Sequence, residues 1–289
     1  MLLEVSRRSI RCFARHEMST YAAALAYRAL FAIFPFVAFL IVLLGFFRVS
    51  GFFEWLIEES SPALDERYAA LVAWLVGEVQ DQAQGGLLSS VLVVAVWSVS
   101  GVTGALVKAL NTVYEVSETR PAWKRVLLQM LSALTLAASM IVGTALLLIG
   151  PRVVQWIVGL VGLDEVFIFL WTWFRLPAAL VLLMLTVSAI YWVVPNANQP
   201  FRLLMPGAAL AVIAWILASS GFLFYLTNFA NYSVVYGSLG AAVALLLYFY
   251  ISAAVLLLGA EINAAIVHCS QAKKMREEGP GPERGTPEA

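Results

Sequence analysis

Long apolar stretches alternate with shorter polar ones along most of the chain, and this pattern predicts a bundle of membrane-spanning helices. An apolar window of about 20 residues is long enough to cross the hydrocarbon core of a bilayer. Because lipid offers the backbone no hydrogen-bond partners, each window is expected to be helical. Six windows qualify, at residues 28–48, 87–107, 126–149, 177–195, 203–226 and 240–267. The predicted fold class is all-α, a polytopic bundle of six transmembrane helices within residues 21–268.

Two segments between the windows are predicted to lie outside the cytoplasm. Residues 151–176 are apolar but interrupted by Asp164 and Glu165, which indicates an interfacial or packed segment. The alternative is that part of this segment enters the membrane. Residues 49–86 are acidic and carry one apolar helical face, which predicts a helix on the outer mouth of the bundle or a lid over a cavity. This face comprises Leu64, Tyr68, Leu71, Leu75 and Val79.

The two ends of the chain differ from the bundle. Residues 1–20 contain an amphipathic helix, in which Leu3, Ile10 and Phe13 recur at helical spacing. Its other faces carry Arg7, Arg8, Arg11 and Arg15. Such a helix lies on the anionic inner leaflet, so we expect an orientation anchor, with recruitment of a substrate as the alternative. Residues 269–289 are charged and rich in Pro and Gly, which predicts a disordered cytoplasmic tail.

Composition and charge support this interpretation and exclude other classes. Hydrophobic residues make up 62% of the chain and charged residues 12%, whereas soluble domains have about 25% charged residues. Cytoplasmic loops carry most Lys and Arg, and the predicted outer side holds only Arg48, Arg67, Arg152 and Arg175 of the 18. Both termini are therefore expected in the cytoplasm. The formal net charge of zero argues against a nucleic-acid partner.

Five polar residues are predicted to lie at one depth near the cytoplasmic ends of three helices. They are Arg28, Lys108, Asn111, Glu261 and Asn263. Glu261 follows Ala241 by about 30 Å of helix, so its carboxylate is expected to pair with Arg28. One interpretation is snorkelling plus one structural ion pair. The other is the floor of a cytoplasm-facing cavity, where Arg28 and Lys108 meet an anion and Glu261 holds Arg28 or exchanges a proton.

Small and uncharged residues indicate close helix contacts. The segment NFANYSVVYGSLGA, residues 228–241, favours a tight hairpin between two helices, with a pore lining or a sugar-binding segment as the alternative. In the second window, Gly101, Gly104 and Ala105 permit close contacts within one chain or between copies in a homo-oligomer.

No metal, cofactor or catalytic site is predicted. Cys12 and His16 are one helical turn apart, and His268 adjoins Cys269. Adjacent helical residues point about 100° apart, so these four side chains would ligate one zinc ion poorly. The chain has no GKS-type phosphate loop. It shows no clustered ligands or nucleophile with its base, so we do not expect an enzyme.

Several stretches together resemble the YihY/BrkB family of bacterial inner-membrane proteins, once labelled ribonuclease BN. The resemblance covers nearly all of residues 20–268. It rests, in chain order, on AALAYRALFAIFP (23–35), ALNTVYEV (109–116) with Arg120 and Pro121, YWVVPN (191–196), MPGA (205–208), and VVYGSLGA (234–241) leading to LLLGAEINA (256–264).

The resemblance implies a multi-span helical protein of the bacterial inner membrane, with transport or lipid handling suspected. It places Glu261 and Asn263 in the family's most recognisable motif. The other motif or structural positions are Tyr27, Pro35, Tyr236, Gly237, Gly240 and Gly259. Arg28 departs from the family pattern, in which this position is often aromatic or apolar. The ribonuclease label finds no support in these residues.

These observations predict a transporter or flippase-like protein that binds or moves an anionic or amphipathic envelope solute or lipid through a cytoplasm-facing cavity. The alternative is a non-transporting envelope scaffold whose outer acidic loop binds a partner. Membrane lipids are the expected partners, and no cofactor is expected.

Overall fold

The computed structural model describes residues 2–46, 85–148, 165–197, 199–229 and 232–277. This part of the chain is helical and contains no strand. Its α-helices are α1 (Leu2–Arg15), α2 (Met18–Phe46), α3 (Gly85–Val113), α4 (Ala122–Leu148), α5 (Glu165–Val193), α6 (Met205–Phe229) and α7 (Tyr232–Glu277). A short 3-10 helix, Phe201–Leu203, precedes α6. The prediction of an all-α protein is confirmed for these residues.

The long helices coincide with the apolar windows and expose apolar side chains. Helices α2 to α7 each contain one predicted window or most of it. Among the described residues, three stretches are long and apolar enough to cross a membrane: Trp173–Val193, Phe201–Asn228 and Gly240–His268. Large side chains such as Trp97 and Leu217 are mostly uncovered by protein. An apolar surface of this extent is expected where lipid surrounds a helix.

Helices α5 and α7 extend beyond their predicted boundaries. Helix α5 begins at Glu165 and continues through Pro177, so residues 165–176 continue the fourth window rather than forming a separate segment. Glu165 therefore lies in the same helix as the fourth window and does not interrupt it. Helix α7 continues to Glu277, into the predicted tail, because residues such as Lys273 and Arg276 are good helix formers.

The connection between α6 and α7 is shorter than the predicted hairpin. Helix α6 ends at Phe229 and α7 begins at Tyr232, so the two helices form a hairpin. Tyr236, Gly237 and Gly240 belong to the first turns of α7 and not to the connection. The side chain of Tyr236, residues 49–84, residues 151–164 and the last twelve residues of the tail lie outside the described part of the chain.

The helices pack as a closed ring with its core at one end. Helix α2 packs on α3, and each later helix packs on the next until α7 returns to α2. Helix α1 lies against α7 and α2. The buried core draws on the first half of α2 and α6 and on the second half of α3, α5 and α7, including Ala22, Leu110, Tyr191, Ala208 and Leu257. The described core therefore occupies the end of the bundle where α1 lies, which is the predicted cytoplasmic end.

Candidate functional site

The turn between α1 and α2 directs a histidine into the end of the bundle. Nδ1 of His16 lies 2.7 Å from Oε1 of Glu261 on α7. Glu261 is only 1% exposed, and the side chain of His16 is 11% exposed. Glu17 adopts a left-handed conformation with φ of 52°, which few residues other than glycine adopt. This turn connects α1 to α2 and leaves His16 facing α7.

A second glutamate approaches the same histidine from the end of α3. This helix closes with a Schellman motif, in which Val116 N–H donates to Asn111 O and Glu115 N–H to Thr112 O. Glu115 takes the left-handed position with φ of 52°, where glycine is usual. Its Oε1 accepts a hydrogen bond from Arg15 at 2.7 Å and lies 3.4 Å from Nε2 of His16.

The hydrogen-bond partners assign the protonation of His16. Nη2 of Arg15 lies 3.1 Å from Nε2 of His16. Because an arginine side chain can only donate, Nε2 acts as the acceptor. The proton of the neutral ring is then assigned to Nδ1, which donates to the Glu261 carboxylate. The result is a chain of contacts from exposed Glu115 through His16 to buried Glu261.

Two cavities share residues of α1, and the smaller one adjoins His16. A cavity of about 170 Å³ lies over the His16–Glu261 pair and is also lined by His268. A larger cavity of about 410 Å³ follows the arginine-rich face of α1. The residues lining the larger cavity are Arg7, Arg8, Arg11, Cys12 and Arg15. Of these arginines, only Arg15 forms an ion pair with a described residue. The cavities therefore bring unpaired positive charge beside a buried carboxylate.

An asparagine of α7 caps the start of α6 next to this site. Oδ1 of Asn263 accepts from Gly207 N–H at 2.8 Å, and its Nδ2 donates to Leu204 O at 2.8 Å. The first N–H groups of a helix have no partner within the helix, and here a side chain of another helix supplies one. Tyr114 lies beside Asn263, and burial raises the pKa of its hydroxyl well above the usual range. This hydroxyl has no hydrogen bond of good geometry within the described residues.

Two glycines next to the Asn263 cap allow α6 and α7 to approach each other closely. A Cβ atom on Gly259 would lie 2.6 Å from the Tyr191 hydroxyl and 2.6 Å from Cβ of Ala211. A Cβ atom on Gly207 would overlap the carbonyl oxygen of Gly259. Both positions therefore need glycine for close approach of the two backbones, and this fixes Glu261 and Asn263 against α6.

Asn111 belongs to a separate clamp at the same end of the bundle. Its Oδ1 accepts from Asn196 N–H at 2.8 Å, and its Nδ2 donates to Glu118 at 2.9 Å. Arg120 donates to the Asn196 side chain and to two carbonyls, those of Val194 and Pro195. These bonds tie the α3–α4 connection to the end of α5. The Asn111 side chain is therefore used in hydrogen bonds that hold the fold together.

Two of the predicted site residues lie elsewhere, and the expected pairing of Arg28 with Glu261 is wrong. Nη1 of Arg28 donates to Gly101 O at 2.7 Å. Helix α2 begins at Met18, so Arg28 lies about 15 Å further along it than the turn at His16. The sequence placed the start of the first helix at Arg28, ten residues too late, and this error put Arg28 at the depth of Glu261. Lys108 is exposed, and an interior position for it is also wrong.

The remaining predicted positions are structural or outside the site. Tyr27 is 60% exposed on α2 and its ring lies 4.7 Å from that of Phe31. Helix α2 continues through Pro35. On α1, Ile10 is 64% exposed, whereas Phe13 packs against the core, so the predicted apolar face is divided between the surface and the bundle. No group of three metal-ligating side chains occurs within the described residues.

Sequence reasoning missed His16, Glu115 and Arg15 as members of one site. A usable signal existed in α1 and the turn after it, where the uncharged polar residues Ser9, Cys12 and His16 follow helical spacing. The position of Glu115 could not be found in this way, because it depends on a left-handed residue that is not glycine.

Comparison with known proteins places the chain in a family. The family model described as virulence factor BrkB matches residues 9–283. The ribonuclease-like protein YfkH of Bacillus subtilis is 33% identical over 266 residues, which cover 92% of this chain and 94% of that protein. A UPF0761 membrane protein of Alteromonas mediterranea is 28% identical over 266 residues, covering 88% and 84%. No solved structure matches the chain. The chain is a membrane protein that belongs to the BrkB/YihY family.

Proposed function

We propose that this protein spans the bacterial inner membrane six times, keeps both termini in the cytoplasm, and binds and moves an anionic, amphipathic envelope solute or lipid. The observation that carries the proposal is the larger cavity along α1, which shares lining residues with the cavity over Glu261 and whose Arg7, Arg8 and Arg11 have no ion-pair partner among the described residues. Unpaired guanidinium groups in a cavity are suited to phosphate or carboxylate headgroups.

The exposed face of α1 supports an amphipathic ligand. Ile10 is 64% exposed and lies on the helix between Arg7 and Arg11. An apolar side chain flanked by arginines is typical of a helix at the membrane interface, with the side chain in the acyl region and the arginines among headgroups. Each arginine near an anionic leaflet contributes about 1 kcal/mol of attraction. A lipid with an anionic headgroup fits this surface, because its acyl chains suit the apolar side chain and its headgroup suits the arginines.

Arg28 supports movement in addition to binding. It is exposed on α2 about 15 Å beyond the turn at His16, and it donates to a backbone carbonyl of α3. A charged residue at this depth of a membrane is costly and marks pathways for ions or solutes. We therefore place a second anion contact on the seam between α2 and α3, deeper than the α1 cavities.

A translocation assay in proteoliposomes tests this function. The purified protein is reconstituted, and bleaching by a membrane-impermeant reductant measures the transfer of a fluorescent anionic phospholipid between leaflets. We expect transfer above that of protein-free vesicles, and a decrease of about tenfold or more in Arg28→Gln. Arg202→Gln is the matched control, because Arg202 is an exposed arginine away from the cavities. Transfer equal to that of empty vesicles would contradict the proposal.

A scaffold function is the second candidate, and the tight packing of α6 on α7 favours it. At Gly207 and Gly259 the two backbones are too close for a side chain, which limits relative movement of these helices. A protein that binds anionic lipid at α1 but fails to transfer it would support the scaffold.

A further inference from the structure

We propose that His16 transfers protons between Glu115 and the buried Glu261, so that Glu261 serves as a proton-binding site supplied from the predicted cytoplasmic face. The coupling of this proton to solute movement rests on the proposed function, whereas the proton transfer itself does not.

The burial of Glu261 favours a relay. Its side chain is 1% exposed, and the only described side chain that hydrogen-bonds its carboxylate is His16, at 2.7 Å. Glu115 is 53% exposed and lies 3.4 Å from the other ring nitrogen. An imidazole ring can accept a proton at one nitrogen and release one from the other. His16 is therefore the one described side chain that touches both carboxylates.

The transfer is balanced without any additional reactant. In the resting arrangement His16 is neutral with its proton on Nδ1. The acid form of Glu115 gives its proton to Nε2, and this proton replaces the hydrogen bond that Arg15 donates to Nε2 in the resting arrangement. The carboxylate that forms remains paired with Arg15. Nδ1 then releases its proton to Oε1 of Glu261. One proton has moved from Glu115 to Glu261, and His16 is again neutral with the proton on Nε2.

The groups around Glu261 allow both protonation states. Among the described residues, the titratable or charged neighbours come from α1 and its turn, from the end of α3, and from α7 itself. They are Arg8, Cys12, Arg15, His16, Tyr114, Glu115 and His268. A nearby positive charge favours the ionised form of a carboxyl group and burial favours its neutral form, and this site supplies both features.

Infrared difference spectroscopy after a pH jump tests the relay on the purified full chain in detergent. The readout is the carbonyl stretch of a protonated carboxyl group, and no lipid ligand is needed. We expect a buried carboxyl band that is absent in Glu261→Gln and shifted in Glu261→Asp. In His16→Gln and Glu115→Gln the band should form more slowly, by at least about tenfold, since positioned proton transfer contributes about 10²–10⁴-fold to rates.

Glu17→Gln is the matched control for Glu115→Gln. Both glutamates have φ of 52°, but Glu17 does not line the cavity over His16. An unchanged rate in His16→Gln, or an equal decrease in Glu17→Gln, would overturn the relay. If lipid transfer is intact while the band never forms, the relay fails and the proposed function survives. If the band forms as expected and no lipid is transferred, the proposed function fails alone.

Discussion

His16 and Glu261 are 245 positions apart in the sequence, and their side chains meet at 2.7 Å between Nδ1 and Oε1. This contact joins the amphipathic helix α1 to the buried end of α7. It also places the arginines of α1 beside the most buried carboxylate of the described structure. The α1 helix is thus a wall of the candidate site as well as the helix that we predict to lie at the membrane interface.

Removal of either partner should release α1 from the bundle. Loss of either side chain breaks a buried hydrogen bond, and a buried group left unsatisfied costs about 1–3 kcal/mol, or more if it is charged. In a Cys269→Ser background, Cys12 is the one remaining thiol of the chain, and it lines both α1 cavities. We expect maleimide labelling of Cys12 to accelerate by tenfold or more in His16→Ala and Glu261→Ala. Equal labelling rates in both variants and the parent would show that this contact does not hold α1.

The close approach of α6 and α7 predicts that Gly259→Ala destabilises the protein. The added methyl group would meet Tyr191 and Ala211 at 2.6 Å, and overpacking of this kind costs about 1–3 kcal/mol. The thermal unfolding midpoint in detergent measures the effect. Gly221→Ala is the control, because nothing lies within 4 Å of the added methyl group. Equal unfolding temperatures of the two variants would contradict a close approach of α6 and α7 at Gly259.

Asn263→Ala should also destabilise the protein, because it leaves Gly207 N–H and Leu204 O without their partner. Each buried backbone group left unsatisfied costs about 1–3 kcal/mol. Asn228→Ala is the control, since the exposed Asn228 side chain bonds only within its own helix. We expect a lower unfolding midpoint for Asn263→Ala and a shift within about 0.5 kcal/mol for the control.

The six-span topology predicts a defined pattern of reporter activity. Fluorescent-protein fusions at either terminus should fluoresce, because both ends are expected in the cytoplasm. Alkaline phosphatase fused after residue 60 or 158 should be active, and the same reporter fused after residue 118 or 198 should be inactive. Phosphatase activity at the C-terminus would require an odd number of spans and would contradict the proposed orientation.

The helices could be predicted from sequence because lipid imposes a length and an apolar composition on every span. The predicted helix boundaries were wrong where polar residues belong inside a helix. Arg28 was taken as the start of a helix that begins at Met18, and Glu165 was taken as an interruption although it lies within α5.

The candidate site could be predicted only in part. Glu261 and Asn263 were identified, but their partners were not, because contacts such as His16–Glu261 depend on how helices distant in sequence pack. The left-handed conformation of Glu115 carries no local signal, since glycine or asparagine is the usual residue there.

The central claim is that the arginines of α1 bind an anionic lipid headgroup, and native mass spectrometry of the full chain in detergent measures this directly. The protein is titrated with phosphatidylglycerol, with phosphatidylcholine, and with inorganic phosphate, which separates a lipid headgroup from a free anion. We expect tighter binding of phosphatidylglycerol, by about tenfold to a hundredfold at about 1 kcal/mol for each arginine. This preference should disappear in the combined Arg7→Gln, Arg8→Gln and Arg11→Gln variant and remain in Arg202→Gln. Equal binding of the two lipids by the parent protein, or an undiminished preference in the triple variant, would contradict the account.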